Sequence, residues 1–178
     1  MIGINGFGRI GRLILRSTFE NPKGLRVTAV NDPFMDVKAF SYLLRHDSAH
    51  SRFPHHVENW EHGVIVNGQK IRLYTETDPT KIPWGDHDVT SVMESTGKFL
   101  TSEKASLHLQ GGAKKVVMSA PPKDDTPLFV FGVNHKEYNA NLNVVSNASC
   151  TTNCLAPVAK VLHDNFGITE GNFGQMKV

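Results

Sequence analysis

Asn5-Gly6-Phe7-Gly8-Arg9-Ile10-Gly11-Arg12 is the stretch of sequence that decides the fold. The apolar segment Ile2–Asn5 precedes it and predicts a strand, and apolar side chains recur at helical spacing after it. The pattern G-x-G-x-x-G between a strand and a helix is the fingerprint of a dinucleotide-binding turn. We expect Gly6 to make the tight bend, Gly8 to let the backbone approach a pyrophosphate, and Gly11 to let the helix pack on the strand. A flexible glycine-rich turn without a ligand is the alternative.

An acidic residue stands at the position where this fingerprint needs one. The second predicted strand, residues 25–31, is followed by Asp32, about 20 residues beyond the last glycine of the fingerprint. An acidic side chain there hydrogen-bonds the ribose hydroxyls of NAD and repels the additional phosphate of NADP. The alternative is a simple turn residue before Pro33. The glycines and Asp32 together favour NAD as the cofactor.

The rest of the chain alternates between predicted strands and helices. A hairpin that turns at Asn67-Gly68 is predicted at residues 64–74, and single strands are predicted at residues 89–94, 114–119, 128–133 and 143–146. Helices are predicted at residues 36–45 and 102–110, and a third helix follows Cys150. This alternation indicates an α/β fold of Rossmann type, with a mostly parallel sheet covered by helices on both faces.

Polar residues and a cysteine follow several of the predicted strands. Ligands of such sheets bind beyond the carboxyl ends of the strands. The positions just after those ends are occupied by Asp32, Thr96, Ser119 and Ser149-Cys150. We therefore expect one crevice to hold a cofactor beside the thiol.

Ser149-Cys150-Thr151-Thr152-Asn153-Cys154 connects the last predicted strand to a helix. Ser149 is a suitable N-cap, so Cys150 falls at the helix N-terminus, where free N–H groups and the helix dipole favour a thiolate nucleophile. The hydroxyls of Ser149 and Thr151 could hold an anionic substrate group there. The alternative for Cys150 is a small buried hydrophobe. Cys154 lies one turn further on, and we interpret it as a packing residue.

Composition narrows the class of protein. The chain has 178 residues, a length typical of a single domain. Its contents of 39% hydrophobic and 20% charged residues are ordinary for a soluble globular protein. A net charge of +2 without a long run of one sign gives no signal for nucleic-acid binding. No apolar run reaches the ~18 residues of a membrane span, and no signal peptide is evident. Two closely spaced cysteines make no disulfide framework and suit a reducing compartment.

A histidine-rich loop lies between the second predicted helix and the hairpin. Its histidines have no tight ligand spacing and no nearby cysteine or carboxylate to complete a set, so we expect no metal site. Solvated loop side chains are the preferred interpretation. The histidines are His46, His50, His55, His56 and His62.

Taken together, the motifs resemble phosphorylating glyceraldehyde-3-phosphate dehydrogenases, from residue 2 to about residue 171. They are residues 5–12, 31–34, 94–97, 109–114, 119–121 and 146–157, of which the block around Cys150 is highly specific to that family. The resemblance implies a Rossmann-type NAD-binding domain over residues 1–148. Residues 149–178 then hold the cysteine helix and the start of a catalytic domain that is expected to be largely missing. It also implies a cytoplasmic, glycolytic homotetramer.

The resemblance also implies residue roles. The thiolate of Cys150 would add to the aldehyde of glyceraldehyde 3-phosphate, hydride would pass to NAD, and inorganic phosphate would cleave the thioester. Ser149 and Thr151 match residues that hold substrate or phosphate. Besides the three glycines, the positions that match NAD contacts are Arg9, Ile10, Asp32, Thr77, Thr96, Gly97 and Ser119. Thr77 stands where the family usually has a larger basic residue, a change that a backbone contact would tolerate.

Departures from the family pattern lead to expectations about activity. The match is expected to end near Gly171, and counting onward without gaps puts Lys177 where the family has its general-base histidine. Because a lysine is protonated at pH 7 and is a poor base unless buried, we expect little turnover from this chain alone. One alternative is a non-catalytic NAD-binding or partner-binding module with exposed apolar surface. Another is a related cysteine enzyme such as a semialdehyde dehydrogenase.

Overall fold

A twisted sheet forms the centre of the computed structural model, which describes residues 1–21 and 23–174. In these residues the sheet has eight strands in the order β3-β4-β5-β2-β1-β6-β7-β8. The strands are β1 (Ile2–Asn5), β2 (Val27–Asn31), β3 (Val57–Trp60), β4 (Gly63–Val66), β5 (Gln69–Tyr74), β6 (Ser91–Glu94), β7 (Lys115–Met118) and β8 (Val144–Ser146). The six strands from β5 to β8 in this order run parallel, and β3 and β4 add an antiparallel edge. The predicted mostly parallel sheet is confirmed.

Helices cover both faces of this sheet, as predicted. The helices are α1 (Arg9–Glu20), α2 (Val37–Arg45), α3 (Ser102–Ala105), α4 (Leu107–Gln110) and α5 (Cys150–Phe166). On one face, Leu15 of α1 and Phe40 of α2 are fully buried against the strands. On the other face, Trp84 from the 3-10 turn Trp84–His87 packs with Val92 of β6, and Ala105 of α3 packs on β7. The amphipathic spacing of the sequence therefore places two layers around one sheet.

Local signals explain where several elements begin and turn. Asp36 caps α2, because its carboxylate accepts a hydrogen bond of 2.7 Å from the N–H of Ala39. The hairpin of β4 and β5 turns at Asn67 and Gly68, which have φ angles of 47° and 82°. Two successive positive φ angles define the two-residue hairpin turn that Asn-Gly favours. Both the second helix and the hairpin agree with the sequence prediction.

The predicted strand at residues 128–133 was wrong. Only Leu128 bridges to Ser146, parallel to the end of β8. The N–H of Val130 is bound by the side chain of Asn134 at 2.8 Å, and Gly132 has a φ of 84°. The backbone therefore leaves the sheet edge after one bridge and turns toward the short 3-10 helix at His135–Glu137.

Two other predictions needed correction. The helix predicted at residues 102–110 is interrupted at Ser106, where the N–H of Leu109 donates to the Ser106 carbonyl, a tighter i to i+3 bond. Strand β3 was missed inside the histidine-rich loop because its two central residues, Glu58 and Asn59, are polar and exposed. Its backbone pairing with β4 holds it in the sheet instead.

Helix α5 begins at Cys150 as predicted but stands apart from the core. Ser149 precedes it, Gly167 ends it with a φ of 70°, and it has no buried residue. Cys154 is therefore exposed, and its interpretation as a packing residue was wrong. No helix in the described part of the chain is both long enough and apolar enough to cross a membrane. Lys177 lies outside the described residues.

Candidate active site

The loops that carry the predicted site residues leave the sheet along one edge. After β1, β6, β7 and β8, the first N–H group donates to the last residue of the neighbouring strand, at 2.7–3.1 Å. These bonds are Gly6 to Asn31, Ser95 to Asn5, Ser119 to Glu94 and Asn147 to Met118. Because neighbouring strands are about 4.8 Å apart, β1 and β8 are separated by roughly 14 Å. The glycine turn and the cysteine turn therefore lie on the same edge.

The three fingerprint glycines have different surroundings. Gly6 has a φ of 90°, and a Cβ there would meet the backbone N of Thr96 at 2.9 Å. A Cβ on Gly11 would lie 2.0 Å from the carbonyl oxygen of Gly6, so only glycine lets α1 approach the turn. Gly8 has no atom within 4 Å of its Cβ position. Packing within the chain explains Gly6 and Gly11, whereas the space at Gly8 is open to a ligand.

The N-terminus of α1 faces the same space. Gly8 is its N-cap and offers no side-chain hydrogen bond, and the first intrahelical bond runs from the N–H of Arg12 to the Gly8 carbonyl at 3.1 Å. The N–H groups of the preceding helical residues are those that a helix leaves unpaired. Such groups, with the helix dipole, suit a phosphate.

A cavity of about 260 Å³ opens beside this turn. Of the predicted cofactor residues it brings together Gly6, Gly8, Asp32, Thr77 and Thr96. Asp32 is fixed from two sides, since its Oδ2 accepts from the N–H of Phe7 at 2.9 Å and its Oδ1 from the N–H of Phe34 at 3.0 Å. Each oxygen keeps a further lone pair, so the carboxylate can still accept from ligand hydroxyls.

Sequence reasoning missed much of the cavity wall. Phe34 is 84% exposed, and the Nζ of Lys98 lies 5.4 Å from the centre of its ring. An aromatic residue in the loop after β2, two positions beyond Asp32, was the sequence signal that could have found it. The other lining residues that were not predicted are Asn5, Asn31, Pro33, Glu76, Pro79, Ile82, Ser95 and Phe99.

The turn before Cys150 is held by Ser146, the last residue of β8. Its hydroxyl donates to the carbonyl of Ala120 at 2.7 Å and accepts from the N–H of Ala148 at 2.9 Å. Ala148 has a φ of 65°, uncommon for a residue with a side chain, and this turns the chain sharply into α5. The turn is thereby tied to the exit of β7 as well as to β8.

Cys150 is the first residue of α5, and its side chain is exposed. Ser149 caps the helix as predicted, since its Oγ accepts from the N–H of Thr152 at 2.9 Å. Asn153 ties the turn from inside the helix, because its Nδ2 donates to the carbonyls of Asn147 and Ser149 at 2.8 Å each. The thiol therefore stands at a helix N-terminus that opens to solvent, instead of being sealed in the core.

The remaining predicted residues lie outside the wall of the cavity. Ile10 is 46% exposed on the first turn of α1, and Gly97 is exposed with a φ of 70°. Ser119 follows β7, between the cavity and Cys150. Gly11 is buried under the turn, and Ser149 and Thr151 flank Cys150. The cavity itself ends short of Ser119 and Cys150, so it is not the single crevice that we expected to hold the cofactor beside the thiol; the two sites share only the edge of the sheet.

Arg9 is oriented by a turn that follows α2. Its guanidinium contacts both carboxylate oxygens of Asp47 at 3.3 Å and the hydroxyl of Ser48 at 3.2 Å. Hydrogen bonds from the N–H groups of Ala49 and His50 hold the pKa of Asp47 well below its usual range, and Arg9 acts in the same direction. The charge that holds Arg9 is thus present at neutral pH.

The histidines of the loop have local partners. His55 packs against the rings of Phe19 and Phe53. Contrary to the sequence analysis, two of the histidines do have a carboxylate nearby: His56 contacts Glu58 at 2.8 Å, and His50 contacts Asp47 at 3.2 Å. Within residues 1–21 and 23–174, no three histidine, cysteine or acidic side chains come close enough to hold a metal ion.

Comparisons with known proteins identify relatives of both parts of the chain. Residues 1–102 match the family model described as glyceraldehyde 3-phosphate dehydrogenase, NAD binding domain, and residues 149–177 match that of its C-terminal domain. The second match extends beyond Gly171, where the resemblance was expected to end. The start of that match at residue 149 adjoins the predicted domain boundary, which stays a prediction.

The relatives carry the name glyceraldehyde-3-phosphate dehydrogenase. The protein of Aspergillus oryzae is 56% identical over 170 residues, that of Ajellomyces capsulatus 55%, and the protein named glyceraldehyde-3-phosphate dehydrogenase 2 of Mucor circinelloides 54%. Each match covers 96% of this chain and 50% of the relative. The chain therefore spans about half the length of the curated relatives that it matches.

Proposed function

We propose, from the premise that this chain belongs to the glyceraldehyde-3-phosphate dehydrogenase family, that it supplies the cofactor site and the nucleophile of an NAD-dependent, phosphorylating aldehyde oxidation. NAD is the cofactor that the matched N-terminal domain identifies. The common name of the relatives favours this activity over that of a related semialdehyde dehydrogenase. The observation that carries the proposal is the shared strand edge, with Asp32 and the glycine turn at one side and Cys150 at the other.

The residues around the cavity suit the cofactor. Open space at Gly8 and the unpaired N–H groups of α1 offer a place for the pyrophosphate. Asp32 would accept hydrogen bonds from the adenosine ribose and repel a phosphate on it. Bound there, NAD would supply the hydride acceptor. Thr77, Thr96, Gly97, Ser119, Arg9 and Ile10 are proposed as further contacts along this edge.

The chemistry at Cys150 is proposed to run through a thioester. The thiolate adds to the aldehyde carbon and forms a hemithioacetal. Loss of hydride from that carbon, with loss of the hydroxyl proton to a base, gives the thioester. Phosphate then attacks the thioester carbon and expels the thiolate, which leaves an acyl phosphate. Ser149 and Thr151 flank the thiol and would hold the anionic groups of substrate or phosphate.

Substrate, assembly and location are parts of the same proposal. The relatives' name supports glyceraldehyde 3-phosphate as the substrate, with inorganic phosphate as the second one. A homotetramer in the cytoplasm, acting in glycolysis, is proposed from the family resemblance. We expect little NADH from this chain alone, because Lys177 takes the place of the general base and a missing base lowers rates about 10²–10⁴-fold.

Titration with NAD tests the cofactor site directly. We expect the chain to bind NAD, and Asp32→Ala to weaken binding about 10- to 100-fold, since hydrogen bonds to a charged group contribute about 1.5–3 kcal/mol. Asp32→Asn, which keeps the shape of the side chain, should show part of this loss. Asp125→Ala removes an equally negative but exposed side chain and should leave the affinity unchanged. No NAD binding by the unaltered chain would overturn the proposal.

Alkylation tests the nucleophile, and Cys154 provides the matched thiol. Both cysteines are exposed and lie on the same helix, but only Cys150 is at its N-terminus. We expect iodoacetamide to label Cys150 faster than Cys154 at pH 7, because only at the helix N-terminus do unpaired N–H groups and the helix dipole face the attacking sulfur. Peptide mass spectrometry over a time course gives both rates. Equal rates at the two positions would argue against an activated Cys150.

A further inference from the structure

Glu94 is a buried acid beneath the cofactor cavity, and the proposed mechanism does not use it. It ends β6 and is 1% exposed. Its Oε2 accepts from Asn5 Nδ2 at 2.6 Å and from His108 Nε2 at 3.0 Å. Its Oε1 accepts from the N–H of Thr96 at 2.7 Å and from the Thr96 hydroxyl at 2.5 Å. Four donors on two oxygens are the pattern that an ionised carboxylate satisfies.

The donors behind Glu94 have fixed directions. Trp84 Nε1 can only donate, and it lies 3.2 Å from His108 Nδ1. His108 Nδ1 is therefore the acceptor of a neutral imidazole, and its Nε2 carries the proton that Glu94 receives. A proton on both ring nitrogens would set two donors against each other in a fully buried place.

The amide of Asn5 is fixed in the same way. Asn5 Oδ1 accepts from Asn31 Nδ2 at 2.8 Å, and Asn31 in turn bonds both the N–H and the carbonyl of Glu76, at 2.8 and 2.9 Å. Reversing either amide would oppose donor to donor or acceptor to acceptor. The Nδ2 of Asn5 must therefore point at Glu94.

These fixed partners determine what Thr96 can offer to a ligand. Its hydroxyl donates its proton in the hydrogen bond to Glu94, and its Oγ1 also accepts from the N–H of Lys98 at 3.1 Å. A hydroxyl has one proton and two lone pairs, so only a lone pair is left. Because Thr96 lines the cavity, a ligand that reaches its hydroxyl meets an acceptor and no donor.

We propose that Glu94 is a positioning residue of the cofactor cavity. By accepting the hydrogen bond of the Thr96 hydroxyl, it leaves Thr96 as an acceptor that selects a hydroxyl of the dinucleotide's ribose. This inference rests on the proposed function, since the ligand that donates to Thr96 is the cofactor itself. The carboxylate of Asp32 is the second acceptor on the same wall. A ligand rich in hydroxyl donors matches both.

Glu94→Gln changes this polarity and keeps the shape of the side chain. The fixed donors of Asn5 and His108 hold the glutamine oxygen, so its NH2 group faces Thr96. There it also opposes the N–H of Thr96, which donates to the carboxylate in the unaltered chain, so this variant loses that hydrogen bond as well. The Thr96 hydroxyl must then accept from the glutamine, and its own proton turns toward the cavity. A donor placed opposite a ligand donor weakens binding, by about 5- to 10-fold for one lost hydrogen bond.

A double-mutant cycle on the full chain, read by NAD titration, tests the inference. We expect Glu94→Gln and Thr96→Val each to weaken NAD binding about 5- to 10-fold, and the double variant to bind no more weakly than Thr96→Val alone. Thr96→Ser keeps the hydroxyl and should recover most of the affinity that Thr96→Val loses. If the fold-losses of NAD affinity multiply in the double variant, Glu94 does not act through Thr96. That result would overturn this inference but not the proposed function.

Two further measurements separate positioning from folding. Trp84→Phe removes the hydrogen bond to His108, behind Glu94. It should lower the melting temperature, but its effect on NAD binding should not be coupled to that of Thr96→Val. If Glu94→Gln does not fold, Glu94→Asp serves in the cycle, because its shorter carboxylate cannot reach both Thr96 and the donors behind it. Failure of the unaltered chain to bind NAD would overturn the proposed function, and this inference with it.

Discussion

At the scale of single residues, glycines that look alike in the sequence serve different purposes. The fingerprint requires glycine at Gly6, Gly8 and Gly11 but does not say which of them the fold needs. In the structure a Cβ on Gly11 would lie 2.0 Å from a backbone oxygen, whereas one on Gly8 would meet nothing within 4 Å. The two positions therefore separate the stability of the fold from the space that a ligand uses.

Alanine substitutions at these glycines should separate the two effects. Gly11→Ala should destabilise the chain by about 1–3 kcal/mol, as overpacking does, because α1 must shift away from the turn. Gly8→Ala should change stability by less than ~1 kcal/mol, since a Gly8 φ of −68° suits alanine. It should nevertheless weaken NAD binding at least about tenfold. Urea unfolding and NAD titration measure the two effects, and unchanged affinity in Gly8→Ala would contradict the proposed pyrophosphate contact.

At the scale of elements, α1 and α2 are joined at the cofactor edge by a charged turn. Arg9 begins α1, and Asp47, two residues beyond the end of α2, contacts it at 3.3 Å. The side chain of Asp47 is almost fully covered, because it also accepts from the N–H groups of Ala49 and His50 at 2.9 and 2.8 Å. This turn determines where the guanidinium of Arg9 lies at the start of the helix.

The ionised side chain of Asp47 in this turn should make the free energy of unfolding depend on pH in the acid range. The backbone N–H groups of Ala49 and His50 lower the folded-state pKa of Asp47 below its ordinary value of 3.8. A lowered carboxyl pKa stabilises the folded state fully above the unfolded-state pKa, and the gain is lost as pH falls through the folded-state value. Asp47→Asn should therefore be less stable than the unaltered chain at pH 7, and the difference should shrink below about pH 3.8.

Urea unfolding at pH 7, 5 and 3 measures this difference. Asp125→Asn is the control, because Asp125 is exposed and its loss removes the same charge. A gap between Asp47→Asn and the unaltered chain that stays constant down to pH 3 would show that the charge of Asp47 does not contribute.

At the scale of the whole molecule, one helix lies outside the packed layers. The sheet and its two covering layers hold the core, whereas α5 has no buried residue. Its exposed apolar side chains include Val158 at 57%, Val161 at 61% and Phe166 at 83%. The alternative of a partner-binding module predicts exposed apolar surface, and patches of this kind mark contact or aggregation surfaces.

Polar substitutions on α5 should therefore change association but not cofactor binding. We expect Val161→Gln with Phe166→Gln to lower the fluorescence of bound ANS and the light scattering of concentrated solutions, because less apolar surface is exposed. NAD affinity should be unchanged, since neither residue lines the cavity. Lys160→Gln, a change on the same helix without loss of apolar area, is the control. Scattering as strong as that of the unaltered chain would rule out α5 as the source of association.

Local chemistry is the part of this protein that the sequence by itself determined. The glycine turn, Asp32 after β2, the Asn67-Gly68 hairpin and the Ser149 cap depend on residues within a few positions of each other, where backbone sterics and single hydrogen bonds decide the outcome. The alternation of strands and helices then fixes a parallel sheet whose carboxyl ends share one edge.

Only the tertiary structure decided the features that depend on distant partners. Asn5 and Glu94 are 89 residues apart in the chain, so no local pattern reveals that one orients the other. The same holds for residues 128–133, which have strand-like composition but find a partner for only one bridge, and for Cys154, whose exposure depends on what packs against α5. Burial and hydrogen bonding across the sheet are properties of the assembled chain, because each requires a second surface that the local sequence does not contain.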